Sequence, residues 1–346
     1  MAKQGIEAAA IRSVLQSVAS TKGWALCVGA GTSLPVFPTW QNLVRRLVAR
    51  DPTALPTRAD SLLSSYSPDA LIEAARHRFK LTDDKFARLL TEKLYADFKH
   101  QAADEWRNIV NCLEAVNVAN VNRDGWSRFL SFFESHPQFR TASALSLAAV
   151  MAQTLPTDAS PVSILSFNAE PLLYALISAW VARLHDWDRG GGVLNAPKQP
   201  LDKLARATSG RTRGRVPYVF CHGLLGVPDG YRHHADSASA DKLVFSEEQY
   251  LTLANAVVSW QSTTFVETCM SRAVVFVGVS LSDPNMRNWL SRVAQNRTRE
   301  LHDVHGHDGD STAHFWLNKH PGTPAEAEWI ENTVGHLGIR LVWLND

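Results

Sequence analysis

Four short motifs in this 346-residue chain place glycines, hydroxyls, an Asn and a His where a ligand's phosphates and hydroxyls could be met. Gly29-Ala30-Gly31-Thr32-Ser33 follows the apolar run 24–28. Glycines there let a backbone approach a phosphate, and amides at a helix start favour an anion. The plainer alternative is a tight turn. The pattern is neither GxGxxG nor a P-loop, since no Gly-Lys-Ser/Thr follows. Ser166-Phe167-Asn168-Ala169-Glu170 ends the run 162–166. Its Asn offers both a donor and an acceptor, but it could equally cap a helix running over 171–182. Cys221-His222-Gly223 ends the run 216–220. Histidine suits proton transfer near neutral pH, and a packed histidine with one hydrogen bond is the alternative. In the fourth motif, Gly278-Val279-Ser280-Leu281-Ser282-Asp283, a glycine and two hydroxyls suit ribose or phosphate contacts. The same residues also read as a strand-to-helix loop with good capping chemistry.

All four motifs close or follow apolar, β-branched runs. Further runs lie at 313–317 and 339–344. Continuous apolar runs signal strands buried on both faces, as in a parallel sheet covered by helices. Helical patterns lie between them: Ala-rich 6–18, 41–48 after a capping Thr39, and 285–293 opened by Asp283-Pro284. Between the first and second runs the pattern is almost wholly helical, with segments at 71–76, 85–94, 105–110 and 142–155. The fold class expected is α/β: a doubly wound, mainly parallel, Rossmann-like sheet. Residues 1–346 form a single domain in this reading, with 45–158 as a helical insertion or lid. Residues 186–215, rich in Gly, Pro and Arg, are expected as a mobile loop.

Composition narrows the function. The chain is 45% hydrophobic and 20% charged, with a formal charge of +1, which excludes a disordered chain and a large nucleic-acid footprint. No run is long and apolar enough for a membrane helix, and the first residues do not form a secretory signal. Cys27, Cys112, Cys221 and Cys269 contain no CxxC pair, so no metal site is expected, and the thiols read as reduced and cytoplasmic.

The four motifs, in this order, resemble the sirtuin-like NAD hydrolases of the bacterial anti-phage type. The resemblance runs over about 22–345, with residues 244–250 also resembling the segment before the last motif. It implies NAD as substrate, cleaved to nicotinamide and ADP-ribose, with no metal. Asn168 and His222 would be catalytic, and Gly29, Ala30, Gly31, Thr32, Ser33, Glu170, Gly278, Ser280 and Asp283 would bind NAD. Within that set Gly29, Gly31, Thr32 and Ser33 hold the pyrophosphate, while Ser280 and Asp283 reach the adenosine side. The chain departs from the protein-deacylating members in three places. Phe37-Pro38-Thr39-Trp40 replaces their Gly-Ile-Pro-Asp-Phe-Arg stretch, Glu170 replaces Asp, and only Cys269 follows His222, where they carry four zinc cysteines. An NAD-dependent protein deacylase, a non-catalytic NAD or ADP-ribose sensor and a nucleic-acid-processing subunit are the alternatives.

Other clusters read as surface. His302, His305, His307 and Asp308 sit in a polar stretch and are taken as solvated loop. Lys203, Arg206, Arg211, Arg213 and Arg215 leave direct nucleic-acid binding open. His233-His234 is read as exposed. Trp106, Trp126, Phe129, Phe132 and Phe133 either pack the helical insertion or form an interface. A homo-oligomer with a separate activating protein, an ATPase or a nucleic-acid sensor, is the expected assembly. The sequence names neither the trigger nor the oligomer size.

Overall fold

In a computed structural model of the chain, the described residues are 23–51, 56–155, 157–185, 197–204, 215–230, 243–255, 259–306 and 313–344. The expected helix over 6–18, Arg206, Arg211, Arg213, His233, His234, His307 and Asp308 lie outside them. Seven strands are described: β1 (Trp24–Val28), β2 (Ser163–Ser166), β3 (Leu201–Leu204), β4 (Val216–Phe220), β5 (Ala273–Val277), β6 (His314–Lys319) and β7 (Ile339–Leu344). They form one sheet in the order β3-β4-β2-β1-β5-β6-β7, parallel at every pairing. The architecture is the expected doubly wound, Rossmann-like α/β sheet. The chain leaves central β1 toward β2 on one side and later returns to build β5, β6 and β7 on the other, so the switch point lies at β1. In open α/β sheets that is where the carboxyl ends of the strands hold ligands. β3 corrects the reading of 186–215 as wholly loop: Leu201 to Leu204 pair with Val216 to Val219 at the sheet edge.

Both faces of the sheet are covered, which explains the unbroken apolar runs. On β1, Leu26 and Val28 belong to one core and Ala25 and Cys27 to the other. The first face meets α8 (Leu172–Leu184), ten of whose thirteen residues are buried. Seven helices joining β1 to β2 form a further layer: α1 (Trp40–Val48), α2 (Pro56–Ser65), α3 (Pro68–Arg78), α4 (Asp83–Gln101), α5 (Trp106–Glu114), α6 (Arg123–Ser135) and α7 (Ser143–Thr154). An apolar helix with no polar stripe fits only between such layers. α9 (Glu247–Asn255) packs against α3 and sends Tyr250 to the opposite core, and that opposite face carries α10 (Trp260–Ser271), α11 (Pro284–His305) and α12 (Pro324–Gly335). Local chemistry sets the helix starts. The Thr39 hydroxyl accepts the Asn42 N–H at 3.2 Å to open α1. One Asp283 oxygen accepts the N–H groups of Asn285 and Met286 at 2.8 and 3.2 Å to open α11. That helix outruns the expected 285–293 and stops at Gly306, in the left-handed region at φ +67°. His302 and His305 therefore end a helix and do not lie in a loop. Among the described residues no cluster of three or more His, Cys, Asp or Glu could hold a metal, and no helix is long and apolar enough to cross a membrane.

The five aromatics of the helical layer are core, not surface: Trp106, Trp126, Phe129, Phe132 and Phe133 are at most 7% exposed. Phe98 meets Trp106, Phe132, Phe133 and Phe37 at ring-centroid distances of 5.5–6.1 Å, while Phe129 meets Phe133 and Trp126 meets Phe129. Each such ring removed from water contributes about 1.5–3 kcal/mol. The sequence alternative in which they form an interface is corrected: none has a free face to offer.

One core group makes stability pH-dependent. Burial, reinforced by the charge of Arg297, holds the His314 imidazole down at about 3, and its Nδ1 accepts the Val274 N–H at 3.2 Å. The unfolded histidine titrates near 6.5. Between these values the unfolded chain binds the extra proton, so stability rises with pH across that window and is lost in acid. This site alone should give a slope of up to about 1.4 kcal/mol per pH unit below pH 6. His314→Asn, which can still accept from Val274 but cannot charge, should flatten it. Urea midpoints between pH 4 and 7 measure the difference.

Candidate active site

All four motifs arrive at the carboxyl edge of the sheet. The ladders run on into them: Phe167 N–H donates to Val28 O at 2.9 Å, Cys221 N–H to Ser166 O at 2.7 Å, and Gly29 N–H to Val277 O at 3.1 Å. Their side chains fall into two groups.

The first group joins the turn after β1 to the segment after β2. Thr32, Ser33, Asn168 and Glu170 are all at most 5% exposed. The Thr32 hydroxyl donates to Gly29 O at 2.8 Å. The Asn168 Nδ2 lies 3.2 Å from Thr32 Oγ1 and 3.1 Å from Ser33 Oγ. Ser33 donates to Glu170 Oε1 at 2.5 Å, and the Leu172 N–H donates to Glu170 Oε2 at 2.5 Å. Glu170, not Asn168, therefore accepts the first amide of α8, so Asn168 is not the cap. Burial pushes the Glu170 carboxyl up to about 7, although the polar hydrogens of Ser33, the Leu172 amide and Asn168 pull the other way. Asn168 Oδ1 is buried and has no partner among the described residues.

The second group joins the ends of β4 and β5, which have β2 and β1 between them. His222 is 6% exposed. Its Nε2 stands 3.5 Å from Asp283 Oδ2, while its Nδ1 is buried without a partner among the described residues. Burial alone would raise the Asp283 carboxyl; the hydrogen bond and charge of His222, with the Met286 and Asn285 amides, outweigh it and hold the group below its usual value. A carboxylate facing Nε2 places the proton of the neutral ring there and leaves Nδ1 as an acceptor. Two rings meet His222 edge-on, Phe167 at 4.8 Å and Tyr250 at 5.5 Å, and the Val244 N–H holds its backbone carbonyl at 3.1 Å.

Between the first group and the helical layer lies a cleft of about 430 Å³, counted with the solvent at its mouth. Ser33, Asn168 and Glu170 form its polar end; Phe37, Trp40 and Phe245 are prominent in its apolar wall. Trp40 and Phe245 meet at 5.1 Å. His222 does not line this cleft; Phe167, which does, meets the imidazole edge-on. Ala30 also lines the cleft.

The glycines bring two turns into contact. Gly31 N–H donates to Gly278 O at 2.8 Å and Thr32 N–H to Gly29 O at 3.0 Å. With Gly29 N–H bound to Val277 O, these three amides are taken up inside the two turns. A Cβ on Gly29 or Gly31 would stand 2.7 or 2.8 Å from Gly278 O, so both are glycine because two backbones touch. Ser280 is exposed, its hydroxyl 2.7 Å from that of Ser282.

Residues 192–336 match the SIR2-like domain. That stretch holds His222, Gly278 and Asp283, whereas the turn after β1 and Asn168 precede it. The SIR2-like match agrees with the sheet and points to NAD-related chemistry. A comparison with curated proteins finds no match. Sequence reasoning gave no role to Trp40, Phe245 or Tyr250. The signals were present as the altered 37–40 stretch and the 244–250 segment, but which side chains of each turn inward depends on packing.

Proposed function

We propose that this chain hydrolyses NAD to nicotinamide and ADP-ribose. Water adds at the ribose anomeric carbon, the bond to the pyridine nitrogen breaks with its electron pair leaving on neutral nicotinamide, and one proton is released. The reading is carried by one observation: the two buried polar atoms left unpartnered at neighbouring strand ends, Asn168 Oδ1 and His222 Nδ1, are both acceptors. A buried acceptor without a donor costs about 1–3 kcal/mol, so the site is built for a ligand that brings hydroxyl or water protons. A ribose diol with an attacking water does this. Asn168 orients those donors and His222 takes the proton, with Asp283 holding the ring. The wall of Phe37, Trp40 and Phe245 suits a flat ring that loses its charge as it departs. The SIR2-like match supports NAD as the donor of that ring.

The same reading takes residues 1–346 as one catalytic unit with 45–158 as its helical lid. It places the chain in the cytoplasm, as a gated effector depleting NAD in anti-phage defence. Gating follows from the chemistry, because an unrestrained NAD hydrolase would exhaust its own cell. A homo-oligomer and a separate activating protein would supply it. The test is nicotinamide and ADP-ribose formed in equal amounts from NAD, by chromatography, with and without the protein encoded beside it. Asn168→Ala should lower the rate at least about 100-fold. Equal rates for the variant and an active parent would overturn the assignment.

A further inference from the structure

We propose that Glu170 is a positioning residue that acts through Ser33 to fix which end of the Asn168 carboxamide is left free for the ligand. The inference rests on the reading of Asn168 given above and adds how its orientation is set.

Every proton in the chain of contacts can be placed. Thr32 gives its hydroxyl proton to Gly29 O, and Ser33 gives its own to Glu170 Oε1. Both hydroxyl oxygens are thereby left as acceptors facing Asn168. Only the NH₂ end of the carboxamide can satisfy them, and its two protons are both used, one on each hydroxyl. The oxygen is turned out, buried and unpartnered. With the carboxamide flipped, Oδ1 would face two oxygens whose protons are already committed, a repulsive arrangement with no donor. The direction of the chain is set at its two ends, by a backbone carbonyl that cannot change and by a carboxylate that can. Each Glu170 oxygen accepts a proton from the protein itself, one from Ser33 and one from the Leu172 amide.

A protonated Glu170 reverses one link. Its O–H can donate to Ser33, whose proton is then free to turn toward Asn168, and the flipped carboxamide becomes tolerable. The ionisable groups facing Glu170 from neighbouring elements are the buried phenols of Tyr95 on α4 and Tyr218 on β4, both held well above their usual range by burial. They stay neutral, so Glu170 is the member of this cluster that changes charge, at about 7. Its ionised form is the one that presents the acceptor, so the relay favours activity as pH rises through that value.

The experiment compares the full chain with Glu170→Gln, Glu170→Asp and Ser33→Ala, alongside Asn168→Ala. Nicotinamide release is followed from pH 5.5 to 8.5, together with the side-chain NH₂ resonances of Asn168, identified by their loss in Asn168→Ala. Glu170→Gln and Ser33→Ala should lower kcat about 10–100-fold with little change in KM. The parent's Asn168 resonances should shift around pH 7, and those of Glu170→Gln should not. Glu170→Asp should recover part of the rate and keep the pH dependence. The His222–Asp283 pair is the same in every variant, so the contrast between variants carries the result. Parent-like kcat in Glu170→Gln, with Asn168 resonances that still shift around pH 7 as in the parent, would overturn the relay. If Asn168→Ala instead turns over like the parent, the role of Asn168 in the reaction falls, and the resonances alone judge the relay; if the parent itself releases no nicotinamide, the hydrolase reading falls.

Discussion

Asp283→Asn should lower NAD turnover about 100-fold or more while leaving the protein as stable as its parent. The two oxygens of Asp283 do separate work. Oδ1 accepts the first amides of α11, and Oδ2 faces His222 Nε2. Asn is as good an N-cap as Asp, so the helix keeps its start through the remaining carbonyl. The NH₂ group then faces His222, and a donor at Nε2 drives the ring proton to Nδ1. The nitrogen that should receive a proton now carries one, the wrong-tautomer fault familiar from catalytic triads. His222→Ala removes the base outright and should cost about 10²–10⁴ in rate. Here too the fold should survive, because the ring's neighbours Phe167 and Tyr250 still have other packing. Rates of nicotinamide release and urea midpoints measured on the same preparations separate the two effects. If Asp283→Asn retains the parent's rate, the pair has no part in proton transfer. If stability falls with the rate, the carboxylate's main work is structural.

The parts of this site that could be read from the sequence are those whose cause is local. Apolar runs at 24–28, 162–166, 216–220 and 273–279 became adjacent parallel strands because both faces of the sheet are covered, and continuous hydrophobicity is what two-sided burial requires. The ends of those strands had to hold any ligand. β3 was hidden because Leu201-Asp202-Lys203-Leu204 is short and only partly buried at an edge, so it carries little of that signal. The pairing of His222 with Asp283 was hidden for a different reason. The two residues leave strands separated by β2 and β1, and only the strand order and the reach of the loops bring them together. Glu170 as the cap of α8 was also out of reach. Asn168 and Glu170 both stand before the helix with capping side chains, and which of them turns inward depends on Ser33 from the far side of the chain. The five helical-layer aromatics show the limit of composition: their number signals burial but not against what, and the packing around Phe98 decides it.

Gly278→Ala should be the most damaging single change at the site. Gly278 has φ +64°, where an L side chain is strained by about 1–2 kcal/mol. A Cβ there would stand 2.3 Å from the Thr32 N and 2.8 Å from the Gly31 carbonyl carbon. Both are backbone atoms of a buried turn, so no side chain can swing away. The two turns must part, which breaks the bonds from Gly29 N–H to Val277 O and from Gly31 N–H to Gly278 O. Strain, clash and lost hydrogen bonds together place the cost at about 3 kcal/mol or more. Gly306→Ala is the matched control. Gly306 has φ +67°, yet nothing lies within 4 Å of the Cβ it would gain, so only the conformational penalty of about 1 kcal/mol applies. Thermal melts should place Gly278→Ala several degrees below Gly306→Ala. The damage should also reach the chemistry, because Thr32 moves with the turn and Asn168 hangs from Thr32 Oγ1. Gly278→Ala should therefore lose NAD turnover even below its melting temperature, while Gly306→Ala keeps it. Equal melting points for the two variants would show that the turns can separate freely, and that their close contact does not hold the site together.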